Sequence, residues 1–424
     1  MAKVLISFLG TGPSDKLQSY KTTKYRFEQS GNEYECSFLA SAIAEEYNVD
    51  KIFLIGTVKS MWDEVYNHFG NKNGIFDNNI WETIAEYRLN DKVNSKSELE
   101  LPCQKEIAIA LGKGSMAVLI KYGLNSDEIR ENSDIILGLE QYLKVGDEVI
   151  VDITHSFRSL PMYVMNLLIF LKDVKHITIS HICYGMLEVC RELNYSPIVE
   201  MKGLLIVNSW ISGAYSMLEF GNAYKIAELV KGIDAGLSTR LKEFSDVKNL
   251  NHLTLLEQQC QKLQAIRDNP NLPQIAQMVV TPVIQEFLNQ VQPQKTDNEQ
   301  YGHSTFQYRL ACWHKNKCNY LAAYISLTES IVSRACEELN VDPIIHENRD
   351  YVKGVWWDNF VSRRCAQMYN DVSKIRHALA HSIDVKIQTP QERKLNKFKK
   401  PTNAREMIDS LCYYLNQYRT KFLQ

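Results

Sequence analysis

The stretch Glu148–Pro161, EVIVDITHSFRSLP, decides how this chain is read. Glu148–Thr154 is an apolar, β-branched run of the kind that forms a buried strand. Ser159-Leu160-Pro161 reads as a helix start, with a serine cap and a proline in the first turn. Between them stand Thr154, His155, Ser156 and Arg158. Hydroxyls, an imidazole and a guanidinium are thus gathered at the carboxyl end of a strand, beside helix N–H groups that suit an anion. Phosphate fits that chemistry. The same Ser, Thr and Pro also read as a helix cap and nothing more.

Working outward, the same alternation recurs. KVLISFLG (3–10) is a strand that runs into the turn GTGPSD, and ECSFLASAIAEEY has helical spacing. KIFLIGT is a strand and SMWDEVYNHF a helix; SMAVLIKYGL and HITISHICYGM are further strands, with helices over SDIILGLEQYL and SLPMYVMNLLIFLK. Strands alternating with helices predict an α/β domain, a mainly parallel sheet with helices on both faces, over residues 1–202. Gly10-Thr11-Gly12 gives a second strand end where the backbone can approach a ligand closely. It lacks the third glycine of GxGxxG, which disfavours a nicotinamide dehydrogenase, and no GxSxG elbow points to an α/β-hydrolase.

Past residue 203 strand patterns fade and helical ones take over, beginning with SWISGAYSMLEFGNAYKIAELVKG. RDNPNLPQ reads as a turn and QVQPQKTDNEQYGHS as a polar linker. Helical stretches then cover LACWHKNKCNYLAAYISLTESIVSRACEEL, VWWDNFVSRRCAQMYNDVSKIRHALAHS and NAREMIDSLCYYLNQYRTKFL. The expected organisation is a ligand-sensing domain (1–202), a helical connector (203–300) and an all-α domain (301–424).

Composition is that of a folded chain, 45% apolar and 23% charged over 424 residues. The formal charge of −2 is uneven: residues 301–424 carry 19 Lys and Arg against 12 Asp and Glu, which reads equally as a merely solvated basic face or, if one part of the chain touches RNA, as a reason to favour the C-terminal third. None of the ten cysteines forms a CxxC pair, so neither a zinc knuckle nor a dithiol redox site is expected, and a reducing cytoplasm is the simplest compartment. The apolar run 159–172 is too short to span a membrane. No signal peptide opens the chain.

In the basic third, IRHALAH places Arg376 and His381 in an R-x4-H arrangement within a helix. RNA cleavage by the ribose 2′-hydroxyl needs a base for its proton, an acid for the departing 5′-oxygen and stabilisation of the phosphorane charge. A histidine and an arginine can share these roles without a metal. His377 and His381, four apart, also read as a zinc pair, but HExxH would need Glu where Ala378 stands. Arg376 and His381 diverge by about 140° around a straight helix, so one copy alone makes a poor active site.

DITHSFRSLP after a strand, with the early LGTG loop, resembles the two ligand-contacting motifs of CARF domains in type III CRISPR systems. The R-x4-H of IRHALAH, together with NYLAAYISLTESI, resembles the HEPN ribonuclease framework. The resemblance implies a Rossmann-like CARF domain followed by an all-α HEPN domain. A cyclic oligoadenylate, most simply cyclic tetra-adenylate, would be held by Gly10, Thr11, Gly12, Thr154, His155, Ser156 and Arg158. Catalysis would fall to Arg376, His381 and His377, with Glu329 structural. It further implies a homodimer or larger assembly whose two HEPN motifs meet in one composite site, with no cofactor or metal. The expected activity is a metal-independent endoribonuclease cutting single-stranded RNA to 2′,3′-cyclic phosphate ends in antiviral defence. Two other readings stand beside it: a ligand-responsive nucleic-acid-binding regulator that does not cut, and a toxin-like HEPN nuclease, for which the long N-terminal half would be superfluous.

Overall fold

A computed structural model describes residues 1–12, 20–155, 160–264, 271–294, 297–358, 360–381 and 404–423. The chain divides into two compact units, Met1–Ile206 and Val207–Gln424.

The first unit is built on one sheet of eight strands: β1 (Lys3–Leu9), β2 (Thr23–Phe27), β3 (Glu33–Cys36), β4 (Lys51–Gly56), β5 (Met116–Leu119), β6 (Glu148–Asp152), β7 (Thr178–Gly185) and β8 (Ser196–Glu200), in the order β3-β2-β8-β7-β6-β1-β4-β5. β1 pairs in parallel with both β4 and β6, β5 continues parallel beyond β4, and β7 continues parallel beyond β6. The central strands are continuous apolar runs because both faces are covered. On β1, Leu5 and Leu9 join one core with Leu54 and Ile150, while Val4, Ile6 and Phe8 join another with Phe53 and Val151. Helices α1 (Leu39–Glu46), α2 (Trp62–Lys72), α3 (Asn78–Leu89) and α4 (Gln104–Leu111) close the first face; α5 (Ser126–Gly138) and α6 (Leu160–Asp173) close the second. A short α7 (Cys190–Leu193) precedes β8.

The expectation of a mainly parallel sheet thus holds, and the antiparallel pairings are confined to one edge. β2 and β3 form an antiparallel hairpin, and β8 runs antiparallel to β7. The first residues of ECSFLASAIAEEY belong to β3, not to a helix. TKYRF, EYEC and SPIVE are short and rich in charged or polar residues, so no apolar run announces them. SMAVLIKYGL yields only four residues of strand.

The second unit is entirely helical among the described residues: α8 (Gly203–Phe220), α9 (Tyr224–Val230), α10 (Ala235–Asn249), α11 (Leu253–Gln264), α12 (Gln274–Val291), α13 (Gly302–Asn316), α14 (Tyr320–Glu338), α15 (His346–Val355), α16 (Phe360–His381) and α17 (Ala404–Phe422). The helix expected without a break over 209–232 is interrupted at Gly221, whose φ of +61° only glycine adopts freely and whose missing Cβ leaves room for Trp313. The helical stretch 310–339 is likewise broken, at Cys318.

Of the polar segment QVQPQKTDNEQYGHS expected as a linker, residues 295 and 296 lie outside the described residues, and both ends are ordered by helices. Asn298 caps a short 3₁₀ turn at Glu299–Tyr301, and α13 begins at Gly302 with Ser304 buried. From α13, Phe306, Leu310 and Trp313 complete a core with the helices before it, whereas Tyr308 and Ala311 complete another with those after it. Within this unit α13 therefore forms a common wall for the helices before it and those after it.

Candidate functional site

The sheet has its switch point at β1: β4 and β5 build outward on one side, β6 and β7 on the other. Ligands of open α/β sheets bind beyond the strand carboxyl ends at such a point. A cavity of about 200 Å³ lies there, lined by Gly10 and Thr11 after β1, Thr57 and Ser60 after β4, and His155 after β6. The structure thus brings Gly10, Thr11 and His155 to one crevice. Ser156 and Arg158 lie outside the described residues, as does the Ser159 cap.

Two buried polar residues organise the floor. Asp152, fully buried at the end of β6, accepts a hydrogen bond from the Ser7 hydroxyl of β1 at 2.6 Å and another from the Thr154 N–H at 2.9 Å. It ties the two central strands together and fixes the turn into THS. The Thr154 hydroxyl accepts from the Gly185 N–H at 2.8 Å, so the β6 turn is also anchored to the end of β7. His155 approaches the Tyr25 hydroxyl at 3.4 Å, and burial holds its pKa below the ordinary value, the carboxylate of Asp152 opposing that shift. The imidazole therefore stands neutral in the crevice at neutral pH.

The opposite wall is set by the loop after β4. Ser60 donates its hydroxyl to the Leu9 carbonyl at 2.7 Å and accepts from the Thr57 N–H at 3.0 Å; the Met61 N–H donates to the Gly10 carbonyl at 3.1 Å. Gly12 is held at φ +64°, where an added Cβ would come within 2.8 Å of Tyr20 and 2.9 Å of the Met61 sulfur. Behind it Tyr20 donates to Asp63 at 2.8 Å, and Arg88 pairs with the same buried carboxylate at 3.1 Å. Ser7, Ser60, Asp63 and Asp152 were not singled out in the sequence. Their signal was there for Ser7, the lone polar residue in VLISFL, for Asp152, which closes the apolar run VIV, and for Ser60 in the second strand-loop GTVKS.

In the helical unit, Arg376, His377 and His381 occupy the last turns of α16, whose described span ends at His381. His377 and His381 are exposed with ring centroids 4.3 Å apart; Arg376 is half-buried. Glu329 on α14 is ion-paired with Arg349 of α15, a structural use. Among the described residues no group of three or more His, Cys, Asp or Glu is placed to hold a metal ion, and no helix is long and apolar enough to cross a membrane.

A mainly parallel sheet with a polar crevice at its switch point, followed by a helical unit, defines a Rossmann-like domain joined to helices, and residues 4–187 match the CARF domain family of the CRISPR system endoribonuclease Csx1. Residues 4–187 are thus similar to the CARF domains of CRISPR-associated proteins. Residues 207–295 match the second domain of the CRISPR-associated protein MJ1674. The MJ1674 protein of Methanocaldococcus jannaschii is 30% identical over 403 residues, an alignment that takes in 90% of this chain and 62% of the relative. The chain therefore spans somewhat less than two thirds of that relative's length. Among solved structures, Enterococcus italicus Csm6 bound to cyclic hexa-2′-fluoro-hexa-dAMP aligns over 100% of this chain and 95% of its own, at 10% identity and a TM-score of 0.34. Those values are too low to transfer any detail.

Proposed function

We propose that the chain is a cyclic-oligoadenylate-activated, metal-independent endoribonuclease of type III CRISPR defence, with a CARF sensor over residues 1–202, a helical connector over 203–300 and a HEPN nuclease over 301–424. The observation that carries the reading is the exposed His377–His381 pair beside Arg376 at the end of α16, in a chain whose residues 4–187 match the CARF domain family.

In the sensor, Gly10, Thr11, Gly12, Thr154, His155, Ser156 and Arg158 hold the activator. A neutral His155 and the hydroxyls of Thr11 and Ser156 supply hydrogen bonds, and Arg158 meets phosphate. The crevice, at about 200 Å³, is smaller than the roughly 300–1,000 Å³ of pockets that enclose a drug-sized ligand, so one chain takes only part of a ring and two copies share it. Cyclic tetra-adenylate matches that two-fold division.

In the nuclease, the 2′-hydroxyl of the RNA attacks its own phosphorus. One histidine accepts the hydroxyl proton, a second imidazole returns a proton to the departing 5′-oxygen, and Arg376 stabilises the phosphorane charge. The products are a 2′,3′-cyclic phosphate and a 5′-hydroxyl. In-line attack needs a flexible backbone, which selects single-stranded RNA. Arg376 faces away from His381 on its own helix, so the site is completed by the same motif from a second chain.

The test is cleavage of single-stranded RNA with EDTA present, with and without cyclic tetra-adenylate. Expected are strong stimulation by the ring, cyclic phosphate ends, and loss of stimulation in Arg158→Ala. Absence of cleavage under every condition, with ring binding intact, would favour the non-cutting regulator.

A further inference from the structure

A cavity of about 450 Å³ in the helical unit lies away from the α16 histidines. It opens where α12 of the connector, α13 and α17 meet, and it takes residues from all three: Gln290, then Arg309 and Asn316, then Arg419 and Leu423. α16 and α17 run antiparallel, with Tyr414 bonded to Asp371 and Lys421 in the field of Cys365. At 1.5 Å per residue the level of Arg419 lies about 20 Å along the bundle from that of His381. This is a separate site.

Its charge is unbalanced. Arg309 is anchored by Asp297 at 2.9 Å, and Asp297 also accepts from the Gln294 N–H at 2.7 Å, so that carboxylate is committed. Arg419 enters no ion pair among the described residues and is exposed at the rim. Cys312 on the cavity wall senses the result: burial pushes its thiol pKa up and a hydrogen bond from Tyr308 lowers it, while Lys315, Arg309 and Arg419 all draw it down further. The remaining wall divides into the amides of Gln290 and Asn316, which can both donate and accept, and the apolar edges of Trp313 and Leu423. Guanidinium groups for a phosphate, amides for a base edge and an aromatic edge to pack on it are what a nucleotide presents the complement of. The volume falls within the usual ligand range of roughly 300–1,000 Å³.

We propose that this cavity binds a nucleoside monophosphate, either free or as the 5′-phosphorylated end of an RNA strand, with its phosphate between Arg309 and Arg419. An occupant would touch α12 and α17 at once and brace the connector against the C-terminal helices. The proposal does not depend on the ribonuclease reading.

Calorimetric titration of the full chain with AMP, and with a short RNA bearing either a 5′-phosphate or a 5′-hydroxyl, tests it. AMP binding that Arg419→Gln weakens at least tenfold supports a free nucleotide; binding of only the 5′-phosphorylated RNA with the same dependence supports a strand end. Arg419 is exposed, so the variant should fold, and Asp297→Asn, which frees Arg309, should tighten binding several-fold. Cys312 should be alkylated more slowly when the cavity is filled, read on its own peptide because Cys318 is exposed. His381→Ala should bind as the parent does. Failure of both ligands to bind, affinity unchanged in Arg419→Gln, or loss of binding in His381→Ala would overturn the proposal.

Discussion

The crevice at the end of β1 and β6 and the end of α16 solve opposite problems. In the crevice Asp152, Ser7, Thr154, Ser60 and Met61 are bonded to backbone or to one another across three strands, so its shape exists before any ligand arrives. At the end of α16 two imidazoles stand exposed and side by side, and the arginine of the same motif is directed elsewhere by the helical repeat. A site that must recognise a fixed shape is built into one framework. On the proposed function, the switched site is the one left incomplete, to be finished by juxtaposition with another surface.

The largest effect should come from breaking the incomplete side. His381→Ala should reduce RNA cleavage by at least about 100-fold, the scale of one general acid or base, while the affinity for cyclic tetra-adenylate stays at the parent value. Mixed dimers of parent and His381→Ala chains separate the two ways of reading α16. A composite site predicts much less than half of the parent rate per mixed dimer, whereas half the rate would mean that each chain cuts alone.

Breaking the preformed side should cost stability instead. Asp152→Ala strands the buried Ser7 hydroxyl and removes the partner of the part-buried Thr154 N–H, a loss of about 3 kcal/mol, against about 1 kcal/mol for Ser7→Ala. Urea denaturation of the two variants checks the order. Equal losses would mean that Asp152 does not anchor both strands. Asp152→Ala should also weaken activator binding, since it frees the THS turn, and leave α16 chemistry without its switch.

How much of this could be read beforehand follows the same division. The central strands were legible because burial on both faces leaves unbroken apolar runs, as in KVLISFL and EVIVD. The hairpin TKYRF–EYEC was not, because strands at a sheet edge keep charged residues on the open side. Thr154 and His155 were picked out by residue type, and His155 lines the crevice, but the carboxylate that positions them is the last letter of a strand and announces packing as readily as function. The break at Gly221 depends on Trp313, 92 positions away, which no local pattern contains. Arg376, His377 and His381 were legible as a motif, and the structure adds that the two histidines are exposed while Arg376 is half-buried.

A finer cut distinguishes two glycines of the same loop. Gly12→Ala forces a Cβ against Tyr20 and Met61 at a positive φ, and should lose about 1–2 kcal/mol along with activator affinity. Gly10→Ala meets nothing closer than the His155 Cβ at 3.7 Å, so stability should hold while the added methyl intrudes on the crevice. Thermal melting with and without cyclic tetra-adenylate resolves the pair. Lost ligand stabilisation in Gly10→Ala at an unchanged melting point would show that the loop contacts the ligand; full stabilisation would remove Gly10 from the site.

The smallest effect tests whether the crevice is preorganised down to its protonation state. Burial depresses the His155 pKa, so below the unfolded value of about 6.5 the unfolded chain takes up a proton that the folded chain refuses. The parent should therefore lose stability as pH falls through that value, and it should owe nothing to His155 above it. His155→Gln keeps a polar side chain beside Tyr25 without that titration. Urea midpoints at pH 7.5 and pH 5.5 should fall further on acidification in the parent than in the variant, the other histidines cancelling in the difference. An identical acid drop in both would mean that His155 takes its proton as easily in the folded chain as in water. The crevice would then meet the activator's phosphates as a cation, and the contrast with the exposed pair on α16 would lie in geometry alone.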